Sequence, residues 1–311
     1  MRFKKFVSYL APVDVTSIVF LLFLILLNCI FANRVAAWFE IIVINLAVIG
    51  LVFTLAYLAE TKKTKLYIGF HRFYSYLIII FVFKEIYLMV HPIHPVDYDW
   101  LFIAIDHWMF GVHPTQWIMQ FSHPVLTEIF QSAYFSYYIL FLLFGIELYF
   151  RFPIEKYDQG AFLIVYGFYL SYLGYFLLPA IGPRFTLHDF YATNQELPGL
   201  FMTNWMRDFV NTGESISFAM SNAAELVQRD VFPSGHAQLS LVVLYLSHRY
   251  VLSNRWIITV LTILLLVGTV YLRYHYVIDL IGGFVVFLIT IWSGQKIQAW
   301  WEKYRITRLI Q

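Results

Sequence analysis

Charged residues are scarce in this sequence. Only 13% of its 311 residues are Asp, Glu, Lys or Arg, while 60% are hydrophobic. Soluble domains carry about 25% charged residues. A soluble protein of this composition has no means of covering its surface, so the apolar excess must face lipid. Net charge is only +2, which leaves no basic field for nucleic acid and excludes it as a partner. Cysteine is nearly absent. The single Cys29 lies in an apolar run and can form no internal disulfide, so no redox compartment is readable. Internal repeats and low-complexity tracts are missing as well.

What the sequence has is long apolar runs. A membrane-crossing helix needs about 20 mostly apolar residues. Stretches of that kind run roughly over Val15–Phe31, Trp38–Leu58, Tyr74–Val90, Ile129–Phe150, Ala161–Ala180, Gly235–Val251, Trp256–Tyr274 and Val277–Trp292. They predict an all-α polytopic membrane protein with about eight transmembrane helices. The first stretch reads as a span rather than a cleaved leader, because it is long and no small-residue cleavage site follows it.

Lysine and arginine set the expected orientation, since cytoplasmic loops carry their excess. Arg2, Lys4, Lys5, Lys62, Lys63, Lys65, Arg72, Arg151, Lys156, Arg249, Arg255, Lys296, Lys303, Arg305 and Arg308 all fall on one side if the helices alternate. The other side holds Arg34, Arg184, Arg207, Arg229 and Arg273. Both termini are therefore expected in the cytoplasm, with the opposite loops outside, whether periplasmic, extracellular or lumenal. Lys84 is left within the third stretch, where Glu85 or Glu128 offers a partner.

Two segments do not span. Trp100–Phe121 mixes apolar residues with Asp106, His107, His113 and Gln116, and predicts one or two helices lying in the outer interface. The second, Gly182–Phe232, is long enough to expect a function for it. Its middle, Leu200–Val227, is partly amphipathic.

The chemistry collects at the outer ends of the helices. Arg184 follows the fifth stretch, Ser234, Gly235 and His236 open the sixth, Arg273 ends the seventh, and His275 and Asp279 begin the eighth. Pro233 suits a first helical turn. The free amides after it, with the helix dipole, favour an anion. Gly235 permits close approach to the backbone, and Ser234 adds a hydroxyl. Arg184 and Arg273 can bind phosphate oxygens, Arg184 as a fork. His275 and Asp279 are four apart and share a helix face, so the carboxylate can orient the imidazole. An imidazole so held can attack phosphorus, and His236 can protonate the leaving oxygen. His91, His94, His107 and His113 fit no compact ligand set, so neither a metal site nor a cofactor is expected. Arg207 and Arg229 read as surface residues, and Tyr134, Tyr137 and Tyr138 as an aromatic belt. A transporter would spread polar residues along helix centres, whereas here they gather at one end.

The set Gly182-Pro183-Arg184, Pro233-Ser234-Gly235-His236 and His275-Tyr276-x-x-Asp279 resembles the type 2 phosphatidic acid phosphatase superfamily. The resemblance implies a six-helix core built from the third to eighth stretches. It implies His275 as nucleophile, Asp279 as its orienting partner, His236 as general acid, and Arg184, Ser234, Gly235 and Arg273 as phosphate holders. The implied substrate is a phospholipid, sphingolipid or polyprenyl phosphate in the bilayer. Two departures stand out. Leu177 occupies the position of the family's first-motif lysine, and Thr269 that of its third-motif arginine. With Asp106–Thr115, these departures are similar to the inositol phosphorylceramide synthase branch, which transfers a headgroup to an alcohol rather than to water. The expected organisation is two extra N-terminal helices over 1–65 and a catalytic core over 66–311, with outer segments 97–124 and 182–232.

Overall fold

The computed structural model describes Val7 and residues 9–310, with side chains to residue 304. Arg2, Lys4 and Lys5 lie outside the described residues, as do the side chains of Arg305 and Arg308. Every regular element among the described residues is helical. We number the longer helices α1 (Pro12–Ile30), α2 (Trp38–Lys62), α3 (Lys65–Ile93), α4 (Asp99–Phe110), α5 (Pro124–Phe135), α6 (Tyr137–Arg151), α7 (Ile154–Leu177), α8 (Thr203–Gly213), α9 (Gly235–Arg249), α10 (Arg255–Tyr271) and α11 (Val277–Ile310).

Each of the eight apolar stretches appears as a helix or, for the fourth, as the bent pair α5–α6. Among the described residues, five helices, α1, α2, α3, α7 and α11, are long and apolar enough to cross a membrane, and the pair α5–α6, bent by 48°, makes a sixth if it is one broken span. The bend falls at Ser136, whose hydroxyl turns back to the Ala133 carbonyl at 2.6 Å. The sixth and seventh expected spans are the shorter ones: α9 has 15 residues and α10 has 17, against the roughly 20 a bilayer asks for.

The chain divides into two compact units. One comprises residues 1–95, 154–170 and 289–311, the other 96–153 and 171–288. In the first, α1 packs on α2 and α2 on α3. Asp14 is fully buried near the start of α1 and accepts from the Tyr74 hydroxyl at 2.5 Å, with His71 Nε2 at 2.8 Å. Buried polar groups need such partners in a lipid-facing bundle. Glu85 is buried on α3 while its neighbour Lys84 is exposed, because adjacent helical residues point about 100° apart.

In the second unit, α10 packs on α5 and α9, and α8 lies on α5. The segment 182–232 folds into short helical turns and α8, and its packing corrects two expectations. Arg207 and Arg229 are buried, not surface residues. Arg207 donates to the Leu197 carbonyl at 3.1 Å, and Arg229 to the Glu225 and Val227 carbonyls at 2.6 Å each. A loop this long buries backbone carbonyls, and guanidinium forks are donors that can satisfy several of them. Glu128 on α5 accepts from the amides of Leu200, Phe201 and Met202 and from the Thr203 hydroxyl, so it anchors the turn that leads into α8. Phe201, Trp205 and Phe209 recur every four residues and are exposed. That is the amphipathic pattern of an interfacial helix.

Candidate active site

The candidate site lies wholly in the second unit. Three chain segments deliver it: the loop before Arg184, the start of α9 and the loop between α10 and α11.

The start of α9 is fixed by its cap. Ser234 is buried at the N-cap, and its Oγ accepts from the Ala237 amide at 3.2 Å. Pro233 therefore stands ahead of the cap and not in the first turn, as the sequence had led one to expect. The Ser234 amide donates to the Asp279 carbonyl at 3.0 Å, which ties α9 to the first turn of α11. Gly235 has a packing role beyond ligand approach: a Cβ there would lie 2.8 Å from the Tyr175 hydroxyl.

The α10–α11 loop carries the second histidine. The amides of Tyr274 and His275 donate to the Thr269 carbonyl at 2.9 and 3.2 Å, so Thr269 shapes this loop through its backbone. His275 Nδ1 lies 3.4 Å from Asp279 Oδ2. That carboxylate also accepts from the Tyr276 amide at 2.8 Å. His275 Nε2, on the far side of the ring, faces His236 Nδ1 at 3.4 Å. Burial first, then His236 and Arg184, hold His275 well below the ordinary imidazole range. A neutral imidazole with a free lone pair is the nucleophilic form.

His236 is enclosed by tyrosines. The Tyr134 ring stacks on it at 4.5 Å, and Tyr137 packs against it at 4.4 Å. These two are buried site residues rather than members of an aromatic belt, while Tyr138 is exposed. They stand on either side of the α5–α6 break, at the end of α5 and the start of α6. Tyr274 stacks on Tyr134 in turn, at 4.3 Å.

Arg184 reaches the same place from the other side. Its amide donates to the Arg273 carbonyl at 3.1 Å. Its guanidinium lies 5.1 Å from the Tyr274 ring, donates to Asn211 Oδ1 at 3.1 Å and pairs with Glu214. Asn211 and Glu214, at the end of α8, have no motif that marks them in the sequence. Arg273 is buried but turned elsewhere. Its guanidinium pairs with Glu196 and lies 3.3 Å from the Met119 sulfur. The structure thus brings together Arg184, Ser234, Gly235, His236, His275 and Asp279, and directs the Arg273 side chain away from the histidine pair.

Residues 100–293 match the family model of the PAP2 superfamily. A PA-phosphatase related-family protein of Dictyostelium discoideum is 24% identical over 195 residues, which cover 56% of this chain and 33% of that protein. The chain therefore spans about a third of the length of that relative. No solved structure matches significantly.

Proposed function

The chain belongs to the PAP2 superfamily, and on that premise we propose that it cleaves a lipid phosphate ester at the outer membrane face through a phosphohistidine. The observation that carries the reading is the facing pair of imidazoles, His275 Nε2 and His236 Nδ1 at 3.4 Å, with a carboxylate behind the first. His275 Nε2 attacks phosphorus as the ester P–O bond breaks. His236 gives its proton to the leaving oxygen. Asp279 stabilises the positive charge that develops on His275. In the second half, His236 takes a proton from the incoming oxygen nucleophile as the N–P bond breaks. Arg184, the Ser234 hydroxyl and the first amides of α9, including that of Gly235, hold the phosphate oxygens. Arg273 acts on the site through its carbonyl, which anchors the Arg184 amide.

The acceptor is water or an alcohol. The tyrosine enclosure of His236 by Tyr134 and Tyr137 favours an organic acceptor, a lipid or headgroup alcohol, as the second reading. Purified protein in vesicles is to be incubated with a panel of lipid phosphates, with and without alcohol acceptors. Free phosphate identifies hydrolysis, and a phosphate monoester of the added alcohol identifies transfer. His275→Ala should lower the rate by about 10⁴-fold or more, as loss of a nucleophile does. Turnover by His275→Ala at the normal rate would overturn the assignment.

A further inference from the structure

The segment 97–124 contributes no side chain to the histidine pair, yet its hydrogen bonds run into both loops that build the site. The Tyr98 amide donates to the Pro179 carbonyl at 2.8 Å, and His188 meets the Thr115 hydroxyl at 3.1 Å. The strongest of these links come from two aspartates on α4. Asp99 and Asp106 are seven residues apart, two helical turns, and so lie on one face. Both are buried, at 5% and 1% exposure.

Asp106 caps α11 from outside. Its Oδ2 accepts from the Val277 amide at 2.8 Å and its Oδ1 from the Ile278 amide at 2.9 Å. These are the first amides of α11, which lack partners within their own helix. They follow His275 by two and three residues. Asp99 holds the other loop. Its two oxygens accept from the Gly182 amide at 2.8 Å and the Ile181 amide at 3.0 Å. Gly182 has φ +92°, a backbone conformation open to glycine, and two residues later the chain presents Arg184. Asp99 also accepts from the Tyr276 hydroxyl at 2.8 Å, and that hydroxyl lies 2.6 Å from Thr186. One carboxylate therefore touches the Arg184 loop and the His275 loop at once.

We propose that Asp99 and Asp106 are positioning residues for phosphoryl transfer, and that α4 is a clamp setting the Arg184 loop against the His275–Asp279 loop. The proposal rests on the reading of Arg184 and His275 given above. Each aspartate has its own part. Asp106 fixes the start of α11 and with it the attack direction of His275. Asp99 fixes the turn before Arg184 and with it the phosphate-holding side. An error of an ångström in such a geometry costs rate out of proportion to its effect on folding.

The test compares Asp106→Asn, Asp106→Ala, Asp99→Asn and Asp99→Ala with wild type in vesicles. It reads kcat and KM for a lipid phosphate, the inhibition constant of inorganic phosphate, and the midpoint of thermal unfolding. His275→Ala runs alongside. The Asp106 variants should lose about 10²-fold in kcat with KM nearly unchanged. The Asp99 variants should raise KM and the phosphate inhibition constant by about tenfold, the worth of a hydrogen bond to a charged group. The asparagine variants should keep the wild-type unfolding midpoint and recover part of the activity that alanine loses. If an alanine variant does not fold, the asparagine variant alone decides. Folded variants with wild-type constants overturn the clamp, and so does an equal loss in all parameters that follows the unfolding midpoint. Full activity in His275→Ala sinks the underlying reading instead, whatever the aspartate variants do.

Discussion

At the residue scale, the proposed mechanism depends on the protonation of one imidazole. His275 is held well below the ordinary histidine range, so it stays neutral where a free histidine would begin to charge. The acid limb of kcat/KM that belongs to it should lie below about pH 6.5. A limb at or above that value, measured from pH–rate profiles on a fixed lipid phosphate, would contradict the burial argument. The sign for stability is the same. The unfolded chain binds this proton near the ordinary value and the folded site does not, so folding weakens as pH falls through about 6.5. A second expectation concerns Arg184, the proposed phosphate holder, which pairs with Glu214. Incoming phosphate must compete with that carboxylate. Glu214→Gln should therefore tighten inhibition by inorganic phosphate by roughly three- to tenfold, since charge-assisted bonds are the strong ones. Weaker inhibition would mean that Glu214 shapes the site rather than opposing the ligand. His236, His275, Asp279 and Ser234 were legible in the sequence because spacing and helix ends place them together. Glu214, Asn211 and Asp99 were not, because they come from connecting segments whose docking no periodicity records, and Asp106 stood out through the resemblance of Asp106–Thr115 but not for its contacts.

At the scale of elements, the site exists because α9 and α11 approach closely. A Cβ at Gly283 would lie 2.6 Å from the Ser234 carbonyl oxygen and 2.9 Å from Ala237 Cβ. Small residues at a helix crossing let backbones meet in this way. Gly283→Ala should force α9 away from α11, stretching the Ser234–Asp279 backbone bond and separating His236 from His275. The expected cost is about 1–3 kcal/mol of stability, as for overpacked cores, with a larger loss of turnover. Gly145→Ala is the control, because nothing lies within 4 Å of its Cβ position. It should be neutral or slightly stabilising on helix propensity alone, by up to about 1 kcal/mol. Thermal unfolding in detergent and a turnover assay separate the two. Equal behaviour of both variants would remove the crossing from the account. The helices themselves were legible from apolar run length. The break at Ser136 and the anchor that Glu128 gives the turn before α8 were not, because both are made by contacts between residues rather than by composition.

At the scale of the whole molecule, the sequence speaks through the distribution of its charges. Eight apolar stretches put nearly all the lysines on one side. The structure keeps all eight as helical segments, but only five to six meet the length and composition of a span. The difference rests on α9 and α10, at 15 and 17 residues. Both lie in the unit that holds the site, and α9 carries several buried polar side chains, among them Gln238, Ser240 and Ser247. A helix facing protein on most sides, as α9 does, has less need of a full apolar length, whereas α10 exposes Trp256, Ile257, Val260 and Ile263 on one face; the proposed orientation needs both to cross as short spans. On that proposed orientation, α9 and α10 separate Arg249 and Arg255 from the level that Arg184, His236 and His275 share. Labelling of single cysteines in a Cys29→Ser background tests this arrangement. A cysteine at exposed Tyr191, in the outer segment, should react with a membrane-impermeant thiol reagent applied outside. A cysteine at exposed Ser253, between α9 and α10, should react only once the membrane is opened. Should both positions label from the same side, α9 does not cross, the charge pattern loses its meaning, and the site can no longer be assigned to the outer face.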